Sequence, residues 1–232
     1  MRLLESGCRV AVLARGRTHS SVLESYQSSK ELVFHQTDVR SEDDVRRAFH
    51  ELRRLMGHLS YLIYSAGLRP DVTTPLADYP YVDWLDCFNT YVTGFFLCFR
   101  EGMRLLEEGG HMLALSYAIT RVQMDALPPF YAGHYAMAKA ALDELCKWAR
   151  REANARGVLL SRIAPGAVDT PAQAILQPLT GSYPMLPVSV VVEKVLSALR
   201  DRKQINEEVL PTADSKWQFT VQSIGAKGRD AR

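Results

Sequence analysis

Short apolar runs alternate with longer helical stretches along most of this chain, and that alternation constrains its fold more than any other feature. The runs are Arg9–Ala14, Leu32–Gln36, Tyr61–Tyr64, His111–Leu115 and Glu208–Leu210, with a further strand running into Ile163-Ala164. Strands separated by helices do not close as tight hairpins. They pair in parallel through crossover helices that cover both faces of the sheet. The sequence therefore predicts an α/β fold, a doubly wound parallel sheet in a three-layer sandwich. No internal repeat or linker divides residues 1–214, so they read as one domain; the tail from Ser215 to Arg232 reads as disordered.

Local signals fix the elements. Met1–Gly7 resembles the last turns of a helix closed by glycine. Ser41 followed by Glu42, Asp43 and Asp44 is an N-cap with an acidic first turn, opening a helix to about Met56. A loop with Pro70, Pro75 and Pro80 precedes a long helix expected from about Asp83 to Glu108, ended by Gly109-Gly110. Val188–Arg202 is a helix with a basic end. His134 and His111 read as surface or capping histidines, and Glu107-Glu108 and Glu207-Glu208 as solvated charge pairs.

At 232 residues, with 47% hydrophobic and 23% charged residues, the chain can bury a full core. A net charge of +2 without clustered Lys/Arg gives no case for nucleic acid. Cys8, Cys87, Cys98 and Cys146 lack CxxC spacing and paired histidines, so no metal site is expected and each reads as a small apolar residue in a reducing compartment. With no apolar run of membrane-span length and no evident signal peptide, the expected setting is cytoplasmic, away from membranes.

His134-Tyr135-Ala136-Met137-Ala138-Lys139 places a tyrosine and a lysine one helical turn apart on one face. An ammonium there favours the phenolate and would bring the tyrosine below its ordinary pKa of about 10. The pair alone occurs by chance on ordinary helices, as a core tyrosine with a solvated lysine. Its neighbours in order are strand ends at Tyr64-Ser65-Ala66-Gly67 and Leu115-Ser116-Tyr117, then Ile163-Ala164-Pro165-Gly166-Ala167-Val168-Asp169-Thr170. Together, over residues 1 to about 212, these resemble the short-chain dehydrogenase/reductase family, whose fold is a Rossmann-like doubly wound sheet.

The resemblance implies an oxidoreductase that moves a hydride between a nicotinamide and a carbonyl/alcohol pair or an enoyl substrate. Tyr135 would be the proton donor, and Lys139 would hold the nicotinamide ribose. The serine expected at the preceding strand end falls on Tyr117, with Ser116 one place off and so on the opposite face. Leu115-Ser116-Tyr117 is similar to the divergent enoyl-acyl-carrier-protein reductases, in which Tyr131 would be the second tyrosine. The family's relay asparagine aligns with Tyr91, two positions from Asn89. These tyrosines could line an aromatic substrate pocket.

For the coenzyme, the tip of the strand ending at Ala14 would face the adenosine ribose. Arg15 and Arg17 there suit a 2′-phosphate, hence NADP over NAD, or are solvated loop arginines. Asp38 and Val39 resemble the pair that contacts adenine, or merely start a turn. Ala66 and Gly67 resemble small residues under the coenzyme. Pro165, Gly166 and Thr170 resemble the loop that receives the carboxamide. The helices at about 83–108 and 135–155 are where the family pairs subunits, which implies a homodimer or homotetramer.

The family's first strand and glycine-rich phosphate turn are absent from the sequence. That strand would lie between those at 9–14 and 61–64, so its absence predicts two sheet edges facing each other across a gap. Either the protein begins about 15–20 residues earlier, or it is a truncated relative. The second possibility leads to the rival function, a catalytically inactive binding or assembly subunit that does not bind a nicotinamide coenzyme.

Overall fold

The structure, a computed structural model, describes residues 2–16, 31–118, 131–180 and 185–210. Arg17, residues 119–130 and the 215–232 tail lie outside the described residues. Helix α1 (Arg2–Glu5) is closed by Gly7 at φ 78°, with Cys8 N–H bonded to Leu3 C=O at 3.0 Å, the left-handed cap expected of that glycine. Strands β1 (Val10–Ala14) and β2 (Leu32–Gln36) pair in parallel, Val10 opposite Leu32 and Ala14 opposite Gln36. Helix α2 (Glu42–Met56) starts as predicted, with Ser41 Oγ accepting from Asp44 N–H at 3.2 Å. Its buried Val45, Ala48, Phe49 and Leu52 recur at helical spacing and form the apolar stripe that faces the core.

Strands β3 (Leu59–Tyr64), β4 (Leu106–Leu115), β5 (Leu159–Pro165) and β6 (Asn206–Val209) form a four-stranded parallel sheet in that order. Met112, Ala114 and Leu160 face α5 (Gly133–Asn154), packing on its Leu142 and Cys146. Leu113 and Ile163 face the other way, onto Ala198 of α7 (Val188–Arg200). The alternation of neighbouring residues to opposite faces gives the predicted three layers. Among the described residues β1 pairs only with β2, and a cleft of about 590 Å³ separates its free edge from that of β3. Val10, Ala11 and Leu13 line one side of the cleft and Leu62 and Tyr64 the other, where the sequence places its gap.

The expected helix from 83 to 108 is instead three pieces. Helix α3 (Tyr81–Phe88) opens out into a π-helical turn (Asn89–Thr93) and resumes as α4 (Gly94–Gly102). It ends at Gly102, where α4 lies close against β3: a Cβ there would meet Leu62 Cδ2 at 2.4 Å. Gly109 and Gly110 lie inside β4, at a register shift with Gly109 at φ 75°, rather than ending a helix.

Both histidine expectations also fail. His111 is fully buried in β4, its Nε2 2.7 Å from Ser161 Oγ, which in turn accepts from Ile205 N–H. His134 is buried with its ring stacked 4.0 Å from that of Tyr79. Burial lowers the pKa of each imidazole, so a neutral ring serves as packing and hydrogen-bonding material. Nor is Glu208 simply solvated: it accepts from buried Arg162 at 2.6 Å.

Candidate active site

The site is built at the carboxyl ends of β3, β4 and β5, with α5 crossing behind them. A π turn closes an N–H to the carbonyl five residues back, so Gly94 N–H bonds Asn89 and leaves the Thr90 carbonyl free. Tyr64 O–H donates to that carbonyl. Gly94 makes room for the contact, since a Cβ there would lie 2.6 Å from the Tyr64 oxygen. The same wide turn aims Tyr91 inward. Its hydroxyl accepts from Leu68 N–H and donates to Leu68 C=O, both at 2.8 Å. Thus Tyr64 and Tyr91 tie β3 and the chain after it to the α3–α4 rod.

Gly67 serves this clamp. A Cβ on it would meet the Tyr91 oxygen at 3.1 Å, so its smallness admits Tyr91. Asn89 turns aside, its Oδ1 accepting from Thr93 Oγ1 at 3.2 Å. Ala66 packs against the core.

Tyr135 lies in the first turn of α5, half-buried, and Lys139 follows one turn later, fully buried. Tyr135 and Tyr117, with ring centroids 5.4 Å apart, face a cavity of about 350 Å³ shared with Ser65, Gly67, Thr170 and Gln173. Leu68, Val72 and Leu176 make its walls apolar, and Arg69 is the one charged side chain among the described residues lining it. Ser116, buried behind the strand end, is not part of that lining, and its Oγ has no hydrogen-bond partner among the described residues. Tyr131 is 52% exposed and also lies off the cavity.

Lys139 Nζ donates to Leu115 C=O at 3.1 Å and lies 4.2 Å from the Tyr91 ring centroid and 5.8 Å from that of Tyr135. It therefore meets ring faces, a cation–π arrangement that sequence spacing does not reveal. Burial lowers its pKa to about 8, against the pull of Asp143, which raises it. The expected lowering of the Tyr135 pKa is reversed. Burial first, then the neighbouring Tyr91 and Tyr117, push its phenol well above the ordinary value.

Arg15 is exposed just past β1; hydrogen bonds from Arg40 lower the pKa of Asp38, and the Arg15 charge adds the last and smallest pull. Arg40 engages both Asp38 carboxylate oxygens and also pairs with Asp86 at 2.6 Å, so Arg40 is the hub of a fork that holds Asp38. Val39 lines the β1–β3 cleft. Gly166 N–H is bonded to Val209 C=O at 2.8 Å, directly after Pro165. Thr170 caps α6 (Pro171–Thr180), its Oγ1 accepting from Gln173 N–H at 3.2 Å.

These residues fit the two ends of a nicotinamide dinucleotide. An ammonium carries three donors, and one of those on buried Lys139 is used by Leu115, leaving others for ribose hydroxyls. The Thr170 hydroxyl accepts through its oxygen and keeps its O–H to donate. At the other end, the exposed Arg15 guanidinium suits a phosphate. Between them, the described residues hold no glycine-rich turn for a pyrophosphate.

The family model described as "Enoyl-(Acyl carrier protein) reductase" matches residues 1–184. Glucose 1-dehydrogenase of Gluconobacter oxydans is 28% identical over 176 residues, covering 74% of this chain and 64% of that protein. A chloroplastic "NADPH-dependent aldehyde reductase-like protein" of Arabidopsis thaliana is 30% identical over 109 residues, 47% of this chain and 39% of that one. This chain thus spans less than two thirds of the length of either relative. A short-chain dehydrogenase/reductase structure from Serratia marcescens superimposes with a TM-score of 0.76 at 18% identity, over 90% of this chain and 89% of that one. The matched family model, the dehydrogenase relatives and the shared parallel sheet together show that the chain belongs to the short-chain dehydrogenase/reductase family.

Proposed function

We propose that this protein is an NADP-dependent oxidoreductase acting on a carbonyl/alcohol pair or an activated C=C bond of a small apolar or aromatic substrate. The observation that carries the reading is the convergence of the Tyr135 and Tyr117 phenols on one cavity, with buried Lys139 behind them. When bound, the nicotinamide supplies or accepts the hydride. Tyr135 then gives the proton to the substrate oxygen or takes it back, and its raised pKa keeps it protonated as a donor. Tyr117 donates to the same oxygen from the side. Lys139 holds the ribose hydroxyls, Thr170 the carboxamide, and Arg15 the 2′-phosphate that separates NADP from NAD. The Leu68, Val72 and Leu176 walls exclude water from the reacting atoms.

The test is turnover of NADPH against aryl aldehydes, aryl ketones and enoyl thioesters. Tyr135→Phe should lower turnover about 10²- to 10⁴-fold. Activity that survives the substitution would remove Tyr135 from its role.

Subunit pairing through α3, α4 and α5 suits the exposed Tyr81, Phe96 and Trp148 on those helices. Light scattering should then give a dimer or tetramer mass. A cytoplasmic setting accords with four unpaired cysteines. Among the described residues no helix is long and apolar enough to cross a membrane.

A further inference from the structure

A row of alternating charge runs from the candidate active site through the core to β6. Lys139 and Asp143 are one turn apart on α5, and both are buried. Arg162, 2% exposed in β5, places Nε 3.3 Å from Asp143 and Nη2 2.6 Å from Glu208 of β6. Three buried charges are costly unless each compensates the next. The spatial order, positive, negative, positive, negative, supplies that compensation.

We propose that Asp143, clamped in place by Arg162, is the counter-ion of Lys139 and acts as a positioning residue that holds the lysine charged inside the site. The importance of this for catalysis rests on the function proposed above; the electrostatic claim stands without it.

Among the described residues, the other groups facing Lys139 leave Asp143 as its charged neighbour. Cys87 approaches from α3, Tyr91 from the π turn, and Tyr135 and Cys146 from α5 itself, while β4 presents the Leu115 carbonyl. Burial raises the Cys87 thiol to about 11, and Tyr91 and Cys146 to about 12, so all three stay neutral near pH 8. A purely structural Asp143–Arg162 pair would fasten α5 to β5 with no effect on the lysine.

The experiment is an NMR pH titration of the protein labelled with ¹³C at lysine Cε, with the Lys139 signal assigned by Lys139→Arg. Asp143→Asn should move the Lys139 midpoint down by about one pH unit or more. Asp143→Glu, which restores the carboxylate, should return it toward the native position. Should Asp143→Asn not fold because Arg162 loses its partner, Asp143→Asn with Arg162→Gln removes one charge of each sign, and the midpoint should again fall. A Lys139 midpoint unchanged in the neutralised variant that folds overturns the proposal. NADPH binding is measured on the same samples. Its absence alongside a shifted midpoint would sink the enzyme reading and leave the counter-ion in place.

Discussion

Tyr64→Phe tests the link between the π turn and the site. The substitution keeps the ring, which meets Phe95 edge-on at 5.5 Å, and deletes only the O–H that satisfies the Thr90 carbonyl. An unpaired buried acceptor costs about 1–3 kcal/mol, so a loss of about 1.5 kcal/mol is expected. In urea unfolding, with a slope of about 2–3 kcal/mol/M, that moves the midpoint down by about 0.6 M. Gly94→Ala sharpens the test. Its Cβ would sit 2.6 Å from the Tyr64 oxygen and 2.9 Å from Val39 Cγ2. Overpacking of this kind costs about 1–3 kcal/mol, less the roughly 1 kcal/mol that Ala gains over Gly in a helix. With the oxygen removed, half of the clash is relieved, so Gly94→Ala should cost about 1 kcal/mol less in the Tyr64→Phe background than in the native protein. Strict additivity, or a Tyr64→Phe loss below about 0.5 kcal/mol, would refute the claim that this hydroxyl supports the turn.

Lys139→Met should change how stability depends on pH. The unfolded lysine keeps its proton to about 10.4, whereas the folded one releases it near 8. Between those values the unfolded state binds more protons, so native stability rises with pH across that window and Lys139→Met abolishes the rise. Thermal melts at pH 7, 8, 9 and 10 read this directly. Tyr91→Phe removes the Leu68 clamp but keeps the ring under Lys139, so it should cost about 1 kcal/mol and leave the Lys139 titration near its native position. Tyr91→Leu removes the ring as well and should lower the Lys139 pKa further.

Much of the fold was legible because alternation of apolar runs with helices allows few arrangements. Ser41 and its acidic first turn fixed the start of α2, and Gly7 the end of α1, since each is required by its local backbone. The long helix was misread where tertiary contacts overrode local pattern. The helix ends where Gly102 packs close against Leu62, and a hydroxyl 26 residues away takes up a carbonyl of the π turn. His111 and His134 look polar in sequence, but Ser161 and the Tyr79 ring, both distant in the chain, allow their burial. The Tyr135/Lys139 spacing was plain. Its electrostatics were not, because burial and the Tyr91 ring outweigh the pairwise attraction that spacing suggests. Asp143 drew no notice in the sequence, because only the fold brings Arg162 to it.

The most direct test of the account is calorimetric binding of NADPH and NADH to the protein, each also to Arg15→Ala. A charge-assisted hydrogen bond of about 1.5–3 kcal/mol predicts NADPH binding about 10- to 100-fold tighter than NADH, with most of that preference lost in Arg15→Ala. Equal binding of the two, or binding of neither, would contradict the assignment of an NADP-dependent active site to this chain.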